Sequence, residues 1–193
     1  MRPEDINAGL IARIAALAVI VVFVQIGVVS EVPIFGVTVE LTPLLVAFIG
    51  FICGSLTGAI IGFAVGLLVD LLLVQTLGIS SLLFTLIGFW AGRLREMRDP
   101  QAPLTPIVVG AAAACVALLG YAIIEFMLGV DAPVSFELLR QIVLGALVDT
   151  IVSLPFWIVV RRALKGGLPE DPRRRRRRRR AYSTGGLSPL PRP

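Results

Sequence analysis

Four ionisable side chains interrupt apolar stretches of this sequence: Asp70, Glu125, Arg140 and Asp149. If these stretches lie in lipid, each charge at the bilayer centre costs about 2.5–3.5 kcal/mol on insertion scales, so such residues usually face a bundle interior and find partners. Acids at matched depths in a membrane can form a proton or ion pathway. Asp149 stands in the middle of its stretch, and we expect it to be deeply buried and to form a small polar core with Glu125 and Arg140.

Residues for enzymatic chemistry are few. An intramembrane aspartyl enzyme would need two facing acids such as Asp70 and Asp149, but neither stands in a recognisable protease motif. The sequence has no histidine, no Gly-x-Ser-x-Gly elbow and no phosphate-binding Gly-Lys-Ser/Thr loop. Its two cysteines, Cys53 and Cys115, are not at metal-ligand spacing. We therefore predict a protein that is not an enzyme, with no catalytic residue, no cofactor and no metal site.

Glycines recur every four residues in the segment GSLTGAIIGFAVGLLVDLLL, at Gly54, Gly58, Gly62 and Gly66, and Asp70 takes the next place in the series. Steps of four advance a helix by about 400°, so these residues form a stripe that drifts slowly around one side. Glycine lets a neighbouring helix approach closely, which is the small-xxx-small mode of association in lipid. We predict a tight helix contact inside the protein, with contact to another subunit as the alternative.

Asp70 itself has two interpretations. A structural acid at this place would accept hydrogen bonds from the backbone, or from Thr76 and Ser80 in the turn QTLGISS. A functional acid would form a polar clasp between helices or contact a solute. We favour the structural interpretation because Asp70 lies near the end of its apolar segment.

The elements that position these residues are predicted to be membrane spans. The 193-residue chain is 56% hydrophobic, with a mean hydropathy of +0.90, whereas a soluble globular domain is about 45–50% apolar. We expect an all-α polytopic membrane protein with about six transmembrane helices. The predicted spans are Leu10–Val29, Gly36–Ile52, Ser55–Val74, Ile79–Gly92, Leu104–Leu128 and Leu138–Val160. Because the second and fourth are short, they are expected to be tilted into thin or protein-surrounded regions, or one is a re-entrant hairpin.

The distribution of charge predicts the orientation of these spans. Lys and Arg next to spans accumulate on the cytoplasmic side. The segments 30–40, 75–78 and 129–137 contain no base, and we place them outside. The bases gather on the other side, at Arg2, Arg13, Arg93, Arg95, Arg98, Arg161, Arg162 and Lys165. Six spans make this alternation consistent, with both termini in the cytoplasm, and Arg140 is the sole exception.

The chain divides into a membrane helical domain, residues 1–165, and a tail, residues 166–193, which is rich in arginine and proline. We expect the tail to be disordered, because it has almost no apolar content. A basic run close to a span attracts anionic lipid or an acidic partner, whereas specific nucleic-acid binding is not expected without aromatic residues to stack on bases. The run consists of Arg173, Arg174, Arg175, Arg176, Arg177, Arg178, Arg179 and Arg180.

The order of these features resembles the rod shape-determining protein MreD family. Its members have the pattern Gly-x-x-x-Gly-Phe-x-x-Gly-Leu-x-x-Asp, followed by Leu-Gly and then by a short helix that ends in Gly-Arg. The matching residues here are Gly58, Gly62, Phe63, Gly66, Leu67, Asp70, Leu77, Gly78, Gly92 and Arg93. The resemblance covers residues 10–163.

This resemblance implies a non-enzymatic subunit of the bacterial cell-elongation machinery in the inner membrane. Family members associate with the single-span protein MreC, and through it with MreB filaments and peptidoglycan synthases that build the lateral wall. The family is also similar in architecture to the substrate-binding membrane subunits of energy-coupling-factor transporters. The alternative hypothesis is therefore a small-solute, vitamin-type transporter subunit, with Asp70, Glu125, Arg140 and Asp149 around a pocket near the outer face.

Overall fold

The computed structural model describes residues 8–29, 38–74, 76–97, 105–127 and 136–165. Within these ranges all regular secondary structure is helical. The helices are α1 (Ala8–Val24), α2 (Leu41–Cys53), α3 (Ser55–Leu72), α4 (Ile79–Met97), α5 (Thr105–Met127) and α6 (Phe136–Leu164). A π-helical segment, Gln25–Val29, continues α1. The prediction of an all-helical membrane protein is confirmed at this level.

The short helix α2 forms the centre of the bundle. It has 13 residues and contacts each of the other five helices. Leu44, Val46 and Phe48 are fully buried, because a helix that is apolar on all sides must be covered on all sides. At about 20 Å long, α2 is too short to cross the roughly 30 Å hydrocarbon core. The neighbouring helices surround α2 with protein, so α2 need not span the hydrocarbon core by itself.

The chain reverses direction between α2 and α3 at a single residue. Gly54 has a φ of 109°, which is a left-handed conformation that glycine adopts without steric cost. Its N–H donates a 2.8 Å hydrogen bond to the carbonyl oxygen of Gly50 and so closes the last turn of α2. The two helices therefore run antiparallel from this turn. A second reversal brings α4 back alongside α3, so α2 and α4 are parallel.

Four helices in the described part of the chain are long and apolar enough to cross a membrane. Their apolar stretches are Gly9–Gly27, Ser55–Leu72, Pro106–Ile124 and Val143–Leu164. The side of α3 away from the bundle exposes Leu56, Ile60, Phe63 and Leu67, a pattern typical of a surface that faces lipid. The predicted fourth span ended at Gly92, but α4 continues to Met97 and carries Arg93 and Arg95, because arginine is a strong helix former.

Two ends of the bundle are distinguished by charge. The first, here called the acidic end, contains the starts of α2 and α4 and the end of α3, with Glu40 and Asp70. The second, the basic end, contains the Gly54 turn, the start of α1 and the ends of α4 and α6. This arrangement places the polar side chains discussed below at opposite ends of one apolar core.

Candidate functional site

Asp70 binds the first turn of α4 with both carboxylate oxygens. Its Oδ2 accepts a hydrogen bond of 2.8 Å from the backbone N–H of Gly78, and its Oδ1 accepts one of 3.2 Å from that of Ser80. The side chain is fully buried. The first amides of a helix have no partner within the helix, and the helix dipole favours negative charge there. Asp70 therefore caps α4 from a different helix, α3.

A tyrosine extends this arrangement to α5. The hydroxyl of Tyr121 donates a 2.9 Å hydrogen bond to Oγ of Ser80. The backbone N–H of the same serine donates to Asp70. Asp70, Ser80 and Tyr121 therefore join α3, α4 and α5 at the acidic end. Tyr121 was not among the residues predicted from the sequence, although a tyrosine hydroxyl that is removed from water normally requires a partner.

Asp149 has the corresponding role at the start of α2. It is buried on α6, and its Oδ1 accepts a hydrogen bond of 3.0 Å from the backbone N–H of Glu40, the residue immediately before α2. Two of the buried acids in the described residues thus bind backbone amides at helix starts, Asp70 at α4 and Asp149 at α2. Each carboxylate comes from a neighbouring helix, so the caps are tertiary contacts.

A glutamine holds the same segment from the other side. Gln25, in the π-helical segment after α1, donates from Nε2 to the carbonyl oxygen of Val39 at 2.8 Å. Its Oε1 accepts a 2.9 Å hydrogen bond from the N–H of Leu41. Gln25 and Asp149 therefore fix three consecutive residues, 39–41, between α1 and α6. Gln25 was not among the predicted residues, although a polar residue inside an apolar run was a signal for it.

Glu40 is the titratable residue of the segment 39–41 and lies outside the helices. Its side chain is half-buried. Burial raises the pKa of the Glu40 carboxyl to about 7, and the negative charge of Asp149 adds to this effect. The carboxyl therefore changes its charge near neutral pH.

The structure does not bring Asp149 and Arg140 together in the expected polar core. Arg140 is exposed near the start of α6, about 13 Å along the helix axis from Asp149, so the prediction that these two share one core is wrong. Asp149 instead binds the backbone of Glu40. Glu125 lies on α5, but its side chain is outside the described part of the structure.

Three of the four glycines in the series pack backbone against backbone. A Cβ atom at Gly58 would collide with the carbonyl oxygen of Gly88 on α4, and would lie 2.6 Å from Cα of Gly50 on α2. At Gly62 it would lie 2.6 Å from the carbonyl carbon of Phe84. At Gly66 it would lie 2.5 Å from the amide nitrogen of Ser81. We call this contact between α3 and α4 the glycine seam; it lies inside the chain.

Gly54 differs from the other three glycines. A Cβ atom there would have no neighbour within 4 Å, and the residue has positive φ. The expectation that Gly54 packs against a helix is therefore wrong, because its conformation serves the turn between α2 and α3. The glycines that face the seam from the other helices were not predicted to pack there. Gly50 and Gly88 meet Gly58 where three helices cross, and Gly92 packs against Ser55. The spacing of Gly88 and Gly92 was the available signal.

The same stretch of the chain matches a known protein family. The family model of the rod shape-determining protein MreD matches residues 9–165, which include all six helices, the glycine seam and both capping aspartates. The chain belongs to the MreD family. The resemblance read from the sequence is thereby confirmed, and the chain is a rod shape-determining membrane protein. No curated protein and no solved structure matches the chain significantly.

The MreD motif residues acquire a physical role from this geometry. Gly58, Gly62 and Gly66 allow α3 to touch the backbone of α4, and Asp70 then accepts the amides at the start of α4. Leu77 is exposed, whereas Gly78 has a φ of 103° and supplies one of those amides. The motif therefore describes one helical hairpin together with its cap.

Among the residues that the structure describes, two buried hydroxyls lack hydrogen-bond partners. They belong to Thr42 in the first turn of α2 and Ser81 in the first turn of α4. Thr42 stands eight residues before Gly50, and Ser81 stands seven before Gly88. Both are therefore about 11 Å from the crossing of the glycines along parallel helices. Within the described residues, no three potential metal ligands form a group.

At the basic end, one arginine makes an internal contact. Nη1 of Arg95, in the last turn of α4, donates a hydrogen bond to the carbonyl oxygen of Ile52 near the end of α2. A cation is favourable at a helix C-terminus, where the carbonyls carry partial negative charge. The predicted contact residues of the arginine run, 173–180, lie outside the described residues.

Proposed function

We propose that this chain is a non-enzymatic, multi-pass subunit of the bacterial cell-elongation machinery in the inner membrane, with both termini in the cytoplasm. It binds an MreC-like single-span membrane protein, and through it acts with MreB-like filaments and peptidoglycan synthases in lateral wall synthesis. The observation that carries this proposal is the MreD family match over residues 9–165. The use of both described buried aspartates as helix caps agrees with a structural role.

The outward side of α3 is the surface we propose for the single helix of the partner. Helices associate in lipid through close van der Waals packing, which requires a surface that does not move. The glycine seam fixes the backbone of α3 against α4, while Leu56, Ile60, Phe63 and Leu67 remain exposed on the other side. The seam and Asp70 therefore keep this surface in shape without contacting the partner.

The proposal is tested by site-specific photo-crosslinking in bacterial membranes. A photoreactive residue replaces Phe63 on α3, and the matched control places it at Ile151 on α6, which is also exposed. We expect an MreC-like protein to be crosslinked from position 63 and not from position 151, as identified by mass spectrometry. Equal crosslinking at both positions contradicts the proposed surface, and recovery of neither an MreC-like protein nor wall synthases contradicts the function.

A second candidate is a substrate-binding subunit of a small-solute transporter, similar in architecture to those of energy-coupling-factor transporters. The observation that favours it is the pair of unpartnered hydroxyls, Thr42 and Ser81, near the acidic end. Against it, the carboxylates of Asp70 and Asp149 already bind backbone amides. Recovery of transporter ATPases in the crosslinking experiment would favour this candidate.

We also propose that the chain consists of two parts with separate roles, a helical domain, residues 1–165, and a tail, residues 166–193. In this proposal the arginines of the tail, 173–180, which lie outside the described residues, bind anionic lipid or an acidic cytoplasmic partner. A cluster of four to eight bases next to a span is typical of binding to anionic lipid. Replacing these eight arginines by glutamine should weaken sedimentation of a soluble fusion of the tail with anionic vesicles, and unchanged sedimentation would contradict it.

A further inference from the structure

Five exposed bases on three helices lie at the basic end of the bundle. We call them the basic collar: Arg13 on α1, Arg93 on α4, and Arg161, Arg162 and Lys165 at the end of α6. They are distant in sequence. The fold brings them to one end because α1 starts there while α4 and α6 end there.

The packing fixes this common position. Gln25, after the end of α1, binds residues 39 and 41 beside the start of α2, so α1 begins at the opposite end of the bundle. On α6, Asp149 binds at the start of α2 and Trp157 packs against Phe51 near its end, so α6 runs parallel to α2 and ends at the basic end. A Cβ atom at Gly92, next to Arg93, would lie 2.5 Å from the carbonyl carbon of Gly54. The end of α4 therefore lies at the turn between α2 and α3.

The acidic side chains that the structure describes lie at the other end. Glu40, Asp70 and Asp149 all bind or adjoin the starts of α2 and α4. Glu96 is in the last turn of α4, and its side chain is outside the described part of the structure. The bundle thus carries an excess of exposed positive charge around its basic end.

An exposed tryptophan marks the depth of the collar. Trp90 precedes Arg93 by three residues, and Trp157 precedes Arg161 by four, so each lies one helical turn toward the middle of the bundle. Trp90 is 61% exposed, whereas Trp157 packs edge-on against Phe48. Tryptophan is enriched at the level of the lipid headgroups. Trp90 therefore indicates that the collar lies at headgroup depth.

We propose that the basic collar is a binding surface for the headgroups of anionic phospholipids, formed by the folded helical domain and independent of the arginine tail. Five exposed cations at headgroup depth match the negative phosphates of one leaflet in sign and position. This proposal does not depend on the MreC-like partner, so it can hold or fail separately from the proposed function.

The test measures lipid retained by the purified full-length chain. The protein is reconstituted in nanodiscs of phosphatidylcholine with phosphatidylglycerol, released, and the bound phosphatidylglycerol is counted by native mass spectrometry. The collar variant carries Arg161→Gln, Arg162→Gln and Lys165→Gln. The matched control is Arg140→Gln, which removes an exposed base at the acidic end. A third variant replaces the eight tail arginines by glutamine.

We expect the collar variant to lose about fivefold in phosphatidylglycerol affinity for each base that contacts a headgroup. The control and the tail variant should retain binding to the helical domain. The proposal is overturned if the collar variant retains as much lipid as wild type, if Arg140→Gln loses as much, or if the tail variant abolishes retention. If the triple variant does not fold, the double variant Arg13→Gln with Arg93→Gln is tested for the same loss of bound phosphatidylglycerol. The double variant Arg161→Lys with Arg162→Lys keeps the positive charges and must preserve binding.

Discussion

The carboxylate of Asp70 on α3 accepts a 2.8 Å hydrogen bond from the backbone N–H of Gly78, the residue immediately before α4. The acid at the end of the glycine series is thus the cap of the helix against which those glycines pack. The same α3 surface provides close approach along its length and a hydrogen-bond acceptor at its end.

Replacing Asp70 should reveal this role. Asp70→Leu leaves two buried amides without an acceptor, and we expect the free energy of unfolding to fall by about 2–4 kcal/mol. Asp70→Asn keeps one carbonyl oxygen and should cost about half as much. Thermal unfolding in detergent measures both. Equal losses for the two variants would contradict the hydrogen-bonding role.

Substitution in the glycine seam should separate α3 from α4. In Gly62→Ala the new methyl group would lie 2.6 Å from the carbonyl carbon of Phe84, and overpacking of this kind costs about 1–3 kcal/mol. Gly62→Leu should prevent folding or assembly. The matched control is Gly9→Ala, because a Cβ atom at Gly9 has no neighbour within 4 Å. A loss of melting temperature in the control as large as in Gly62→Ala would refute the close contact.

Replacements of the two adjacent serines at the start of α4 should have different effects on stability. Ser80→Ala removes the acceptor of the Tyr121 hydroxyl and should destabilise the protein by about 1 kcal/mol. Ser81→Ala removes a buried hydroxyl that has no partner, so stability should stay constant or increase by about 1 kcal/mol. The two melting temperatures provide the comparison. A larger loss in Ser81→Ala would mean that its hydroxyl binds something.

Stability should depend on pH through Glu40. The pKa of its carboxyl in the folded protein is about 7, above the ordinary 4.5, so the folded state binds this proton more tightly than the unfolded chain does. The associated stabilisation is complete below pH 4.5 and is lost as the pH rises through about 7. We expect the melting temperature to fall between pH 5 and 8, and to fall less in Glu40→Gln. Parallel curves for wild type and variant would exclude Glu40 as the cause.

Much of the architecture was predictable because local patterns encode it. Long apolar runs determine membrane helices, and the break at Gly54 was located because glycine, followed by serine, interrupts two runs. The four-residue spacing of Gly58, Gly62 and Gly66 predicted a surface without side chains, since helix periodicity alone puts these residues on one side. The MreD resemblance followed from the same residues.

Only the tertiary structure decided what those surfaces meet. Helix periodicity does not show which helix lies opposite a stripe, so Gly50, Gly88 and Gly92 were overlooked as the other half of the contact. The partner of Asp149 is a backbone amide 109 residues away, and a backbone amide has no signature in the side-chain sequence. Arg140 and Asp149 are both charged and nearby in sequence, but nine residues of helix separate them along the axis. The sequence thus determined which residues are apolar, small or charged along each helix, and the packing of the helices determined which of them meet.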